Sequence, residues 1–316
     1  MTSPRAAAEP NATTAATVST PEAAGGLGAA RGRGAAFAPV ALVISAGVSV
    51  QFGSAIAVML MPRAGAAGVV TLRLAAAALV LLVICRPKVR GYSRADWGTV
   101  VAFGVAMAGM NGLFYQAVDR IPLGTAVTLE VLGPLALSVL ASRRLVNLVW
   151  AGLALAGVAL LSGGAGFGSL DIAGAAFALG AGACWAVYIL FSARTGRRFP
   201  QADGLALAMA VAAVLSLPLG AMESGAKLLV PSTIGLGAAV AILSSVLPYT
   251  LELLALRRLP APTFAILMSL EPAIAATAGF LVLHQSLSAT DALAIALVIG
   301  ASIGAVRSQV ARGRGE

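Results

Sequence analysis

Charge is scarce in this chain: only 10% of its 316 residues are charged, and it holds one histidine, His284, two cysteines, Cys85 and Cys184, and two lysines, Lys88 and Lys227. Each scarcity excludes something. Soluble domains carry about a quarter charged residues, so this chain cannot cover a surface that faces water. One histidine and two cysteines in apolar stretches give no metal-ligand cluster and no disulfide framework; the cysteines read as small buried hydrophobes. With His284 as the one histidine, an intramembrane enzyme of the Ser-His type is left without its parts. No Walker A loop is present, so a primary pump would need ATP from a partner. No cofactor is implied.

What fills the chain is apolar. Hydrophobic residues make up 59%, and the mean hydropathy is +0.94. Ala, Gly, Val and Leu dominate, and small residues suit close helix packing in lipid. A membrane crossing needs about 20 apolar residues. Ten segments fit, at 38–61, 65–85, 97–118, 122–141, 146–163, 171–193, 204–222, 233–256, 260–283 and 289–307. The predicted fold class is an all-α integral membrane protein. Residues 1–37, rich in Ala, Thr, Pro and Gly, read as a disordered cytoplasmic tail. They lack the apolar core of a cleaved signal peptide. Residues 308–316 read as a short cytoplasmic C-terminal tail.

With the N-terminus inside, 17 of the 21 basic residues fall in inner segments; Arg63, Arg120 and Lys227 are outside, and Arg73 lies within a span. The positive-inside rule then places both termini in the cytoplasm and requires an even number of spans. The net charge of +9 reflects this bias beside anionic inner-leaflet lipid, and no nucleic-acid partner is implied.

Arg120-Ile121-Pro122, with Gly133-Pro134 further on, recurs as Arg258-Leu259-Pro260 with Glu271-Pro272, at a constant offset of 138 residues. Five spans separate the copies, so they enter the membrane from opposite faces. That is the mark of two inverted five-helix repeats, here 38–170 and 171–307. Pro122 and Pro260 suit helix starts. Pro134 and Pro272 lie deeper, where proline removes an internal hydrogen bond and kinks the helix. Freed carbonyls at that depth must face protein or a wet cavity; the alternative is a packed kink with no ligand.

Four charges lie within spans: Arg73, Glu130, Glu252 and Glu271. A charge at the bilayer centre costs at least ~2.5–3.5 kcal/mol on insertion scales, so it normally lines a polar pathway or pairs. Glu271 directly precedes Pro272, and Glu130 lies one turn before Pro134. Both suit a substrate ammonium, a proton, or each in alternation; the alternative is a structural pair with Arg73. A rise of about 1.5 Å per residue puts them roughly 12 and 14 Å below the outer face of a core about 30 Å thick. Arg73 anchors a substrate carboxylate or acts as counter-ion to a glutamate. Glu252 lies close enough to Arg257 to belong either to a cavity or to the inner interface. Gln51, Asn111, Tyr115 and Tyr249 are the nearby polar candidates, and interhelical hydrogen bonding is their bland alternative.

These residues resemble the EamA-type drug/metabolite transporter superfamily, and within it the threonine/homoserine exporter (RhtA-like) branch. The matching stretches are Ser49-Val50-Gln51-Phe52-Gly53, Thr71-Leu72-Arg73-Leu74, and the run from Phe114-Tyr115 to Gly133-Pro134. In the second half they are Leu247-Pro248-Tyr249, Leu251-Glu252, Arg258-Leu259-Pro260 and Leu267-Met268-Ser269-Leu270-Glu271-Pro272. The resemblance implies ten spans in the cytoplasmic membrane, alternating access and a central cavity. It implies proton-driven export of small amino acids; the same fold carrying another metabolite or a cationic drug is the alternative. A homodimer is compatible with it.

Overall fold

The computed structural model describes residues 25–142, 145–163, 171–200, 202–256, 258–259 and 261–313. Most of the expected N-terminal tail, the glycine-rich turn after Gly163, and Arg143, Arg144, Arg257 and Pro260 lie outside the described residues. Residues 25–38 belong to a unit of their own. Their backbone is helical.

The helices are α1 (Gly25–Cys85), α2 (Arg94–Val118), α3 (Leu123–Glu130), α4 (Leu132–Ser142), α5 (Leu145–Gly163), α6 (Ile172–Arg198) and α7 (Asp203–Ser224). A 3₁₀ turn at Gly225–Leu229 leads into α8 (Pro231–Ala241), a π-helical turn (Ile242–Val246) and α9 (Leu247–Leu256). The chain ends with α10 (Ala261–Met268), α11 (Glu271–Leu283) and α12 (Ala289–Gly313). No strand occurs among the described residues.

Two helix starts repeat one device. The Ser93 hydroxyl accepts from Asp96 N at 3.2 Å while Ser93 N donates to the Asp96 carboxylate at 3.0 Å. Ser288 and Asp291 make the same reciprocal pair at 3.1 and 3.0 Å. Each capping box satisfies backbone donors that the first helical turn leaves open.

Among the described residues, seven helical stretches are long and apolar enough to cross a membrane: Pro39–Cys85, Arg94–Val118, Ile172–Arg198, Asp203–Leu229, Pro231–Glu252, Ile266–Leu283 and Ala289–Arg307. Shorter apolar helices cover Leu123–Leu137 and Leu148–Leu160. Large side chains on their outer faces, such as Leu79, Val83, Leu155, Val214 and Leu219, are exposed. Water would not tolerate that much apolar surface, and lipid does. The chain is a multi-pass membrane protein.

Pro39–Cys85 is 47 residues long, about 70 Å if straight. It is not straight. Gly53 packs against Ser244, and Arg73, 20 residues later, bonds the carbonyl of that same Ser244. The chain must therefore fold back between them. Gly65 does this with φ 63° and ψ 170°, a combination open essentially only to glycine. Glu223 closes the joint by accepting from Ala66 N at 3.2 Å and Ala67 N at 2.7 Å, and the Ser224 hydroxyl donates to the Ala64 carbonyl.

Helix pairing follows a pattern. α2 packs on α6 and α7, and α4 also packs on α6. The part of α1 before Gly65 meets the π turn (Ser49 Oγ to Leu243 O, 2.6 Å) and α11 (Gly47 to Ile274). The part after Gly65 meets α7 (Thr71 Oγ1 to Ser216 O, 2.8 Å) and α8 (Leu72 to Gly237). α3 packs on α11, where a Cβ on Gly124 would come within 2.7 Å of Ala276, and α5 packs on α12.

Candidate functional site

Two helices are interrupted at matching places. α3 ends at Glu130 and α4 begins at Leu132; α10 ends at Met268 and α11 begins at Glu271. Pro134 is the third residue of α4 and Pro272 the second of α11. Proline has no N–H to give the preceding turn. At the first interruption α-helical bonds still run across, from Val131 N to Val127 O at 3.0 Å and from Leu135 N to Val131 O at 3.1 Å. Where α10 gives way to α11, Leu270 N reaches back only to Leu267 O at 3.1 Å and Ala273 N to Leu270 O at 3.0 Å. At the first break a Cβ on Gly133 would collide with the Gly182 carbonyl, and one on Gly182 with the Glu130 carbonyl. Paired glycines let α6 touch the broken backbone.

A third irregularity lies on the opposite wall. Pro248 has no N–H, so the carbonyls of Ser244 in α-helical register and Leu243 in π-helical register lose the partner that position would supply. Side chains take both. Ser49 Oγ donates to Leu243 O at 2.6 Å, and Arg73 Nη2 donates to Ser244 O at 2.9 Å. Arg73 Nη1 donates to the Tyr115 hydroxyl at 3.1 Å and Nε to Ser245 Oγ at 3.3 Å. The guanidinium also lies 5.6 Å from the Tyr115 ring centroid. None of the ion pairs among the described residues includes Arg73. It is a buried cation held by neutral groups, which leaves its charge available.

The breaks and this cation border a cavity of about 460 Å³. On its wall are Gln51, Ser54, Arg73, Asn111, Glu130, Pro134, Ser244, Glu252, Ser269, Glu271 and Ser302, among apolar groups that include Phe114, Trp185, Tyr188, Phe264 and Met268. Glu130 and Glu271 are buried. Glu130 is within electrostatic reach of Arg73, and Glu271 of Glu130 and Glu252. One cavity thus gathers a fixed cation and three carboxylates, the donor set for a zwitterion or an organic cation.

Seven of the residues singled out in the sequence meet here: Glu130, Glu271, Arg73, Glu252, Gln51, Asn111 and Pro134. Asn111 uses Nδ2 on its own helix, donating to Met107 O at 2.9 Å. Tyr115 is fully buried behind the wall, where it orients Arg73. Pro272 is buried beside the second break. The Tyr249 side chain lies outside what the structure describes. Sequence reading missed Trp185, Tyr188 and Ser302. The pair on α6 had a signal, since two aromatics at i and i+3 share a face in a chain that is 5% aromatic. Ser302 had none.

Known proteins point the same way. Residues 172–307 match the EamA-like transporter family. The threonine/homoserine exporter RhtA of Escherichia coli (strain K12) is 43% identical over 267 residues, covering 84% of this chain and 90% of that protein. The RhtA of Salmonella typhimurium (strain LT2) is 42% identical over the same length. An uncharacterized transporter of Bacillus subtilis (strain 168), YwfM, is 30% identical over 64% of this chain and 71% of its own. A crystal structure 21% identical in sequence superposes with a TM-score of 0.55, covering 87% of this chain and 99% of the other; this likeness is one of fold. The named relatives are transporters, not enzymes.

Proposed function

Since the chain belongs to the EamA-like transporter family, in its RhtA-like branch, we propose that it exports small amino acids such as threonine and homoserine across the cytoplasmic membrane in exchange for protons. The carrying observation is that one cavity holds three carboxylates and Arg73, which makes no ion pair among the described residues.

Arg73 takes the substrate carboxylate, because bidentate donation suits that group. The ammonium lies one carbon away from that carboxylate, so its partner must be within reach of Arg73; Glu130 is. Glu271 and Glu252, within electrostatic reach of each other, with Glu130 also in reach of Glu271, carry the proton. Like charges this close repel in a site poor in water, and one proton relieves them. Protonation from outside removes negative charge beside Glu130, weakens the hold on the ammonium, and releases the load. Tyr115 is a positioning residue for Arg73.

The architecture in this reading is ten spans in two inverted repeats, 38–170 and 171–307, with both termini cytoplasmic. Folding back at Gly65 supports two crossings within Pro39–Cys85. Reciprocal packing supports the inversion: span three meets six and seven as span eight meets one and two, and four meets six as nine meets one. The interrupted helices supply joints about which the cavity opens to alternate faces.

Labelled threonine efflux from cells at matched expression tests the proposal: Glu130→Gln and Glu271→Gln variants should both lose proton-driven efflux, and wild-type rates in both would refute it. A second reading, export of an organic cation, draws on the aromatic wall of Phe114, Trp185 and Tyr188 beside the carboxylates. A panel of amino acids and cations in proteoliposomes separates the two.

A further inference from the structure

Two residues that border the cavity each carry a buried polar atom with no hydrogen-bond partner among the described residues, Gln51 Oε1 and Ser302 Oγ. The two residues are 3% and 6% exposed. Native proteins leave few such groups, and each calls for a reason. Thr195 Oγ1, away from the cavity, is also without a partner, but several buried hydroxyls on other helices fold back onto their own carbonyls: Thr128 onto Gly124 O at 2.6 Å, Ser216 onto Ala213 O at 2.8 Å, and Ser244 onto Val240 O at 2.6 Å. Ser302, midway along α12, does not. Gln51 comes from α1 and Ser302 from α12, far apart in sequence, yet both border the same space.

The groups assigned above account for the two ends common to every amino acid, the carboxylate and the ammonium. They do not choose among side chains. An amide oxygen only accepts, whereas a serine hydroxyl both donates and accepts. An alcohol also does both. We propose that Gln51 and Ser302 form a hydroxyl-selecting subsite, in which the substrate's side-chain O–H donates to Gln51 Oε1 and its oxygen accepts from Ser302 Oγ. Valine has the shape of threonine with a methyl in place of the hydroxyl. It can satisfy neither atom, and a site built for a hydroxyl rejects the analogue that lacks one far more strongly than it senses a methylene. The assignment rests on the exporter reading.

The test measures KM for threonine and valine in proteoliposomes, and the thermal shift each gives to the purified protein, for wild type, Gln51→Met, Ser302→Ala and Ser302→Thr. Wild type should favour threonine over valine. Gln51→Met and Ser302→Ala should cut that ratio by roughly tenfold or more through a weaker threonine KM, with valine unchanged, and Ser302→Thr should preserve it. O-methylthreonine, which keeps the oxygen but loses the proton, should bind wild type roughly tenfold more weakly than threonine does. This last arm needs no variant, so a misfolded substitution leaves the proposal testable. A wild type that moves no amino acid overturns the exporter reading and this subsite together. A wild type that exports threonine, with the same threonine-to-valine ratio in both variants or with full affinity for O-methylthreonine, overturns the subsite alone.

Discussion

The two interrupted spans start from one signature and end with opposite electrostatics. In the first, Glu130 closes a half-helix; in the second, Glu271 opens one. A helix N-terminus favours negative charge and a C-terminus opposes it. Glu271 therefore has the helpful dipole, but its charged neighbours are Glu252 and Glu130. Glu130 has the unhelpful dipole, but Arg73 is beside it. The sequence positions differ too: the repeat aligns Glu271 with Gly133, and Glu130 with Met268. In the proposed reading the two carboxylates are not interchangeable: one is suited to a substrate cation and the other to a proton.

The strongest way to break this comparison is Glu130→Gln. It should lower threonine efflux roughly a hundredfold, the usual scale for removing one member of a buried charge pair, and should abolish threonine exchange as well. Glu271→Gln should act differently: net efflux should fall and become insensitive to an inward proton gradient, while threonine exchange continues. Equal loss of exchange in both variants would make the two carboxylates equivalent and end the division of labour.

Packing gives a weaker contrast. Gly133→Ala forces a Cβ onto the Gly182 carbonyl and should destabilise the purified protein by about 1–3 kcal/mol, read from thermal melting in detergent. A clash of this kind has no counterpart at the aligned Glu271, so Glu271→Ala should melt closer to wild type. Smallest is Gln285→Ala. Gln285 Oε1 accepts from Leu123 N at 3.1 Å, closing the start of α3 from the end of α11, and its loss should cost about 1 kcal/mol.

Much of the fold was legible because lipid enforces length. The segment expected at 204–222 is the helix Asp203–Ser224, and 97–118 is Arg94–Val118. The buried charges were legible for the same reason: a charge in an apolar run must have a purpose. What escaped was geometry that depends on neighbours. Pro134 and Pro272 announced a disturbance, but which hydrogen bonds survive around each is set by neighbours, not by composition. Pro248 was visible, yet nothing in a linear reading says that Ser49 and Arg73 collect the carbonyls it frees. Tyr115 was named as a polar candidate, but its place behind the wall against Arg73 was not legible, because a phenol facing the cavity and one behind it read alike. Ser302 was hidden altogether, since a lone serine on an apolar helix acquires meaning only from which way the helix is turned.

The joint at Gly65 has a practical consequence for anyone mapping sidedness. Epitopes, reporter enzymes and protease sites are spliced into the connections between spans, on the premise that a connection has slack. Here the chain turns at one glycine, between backbone groups already claimed by Glu223 and Ser224. An insert at that point would unfasten α7 from α1 and report on a damaged protein. The irregular, largely exposed stretch between α1 and α2, residues 86–93, has room to spare and is where a tag belongs.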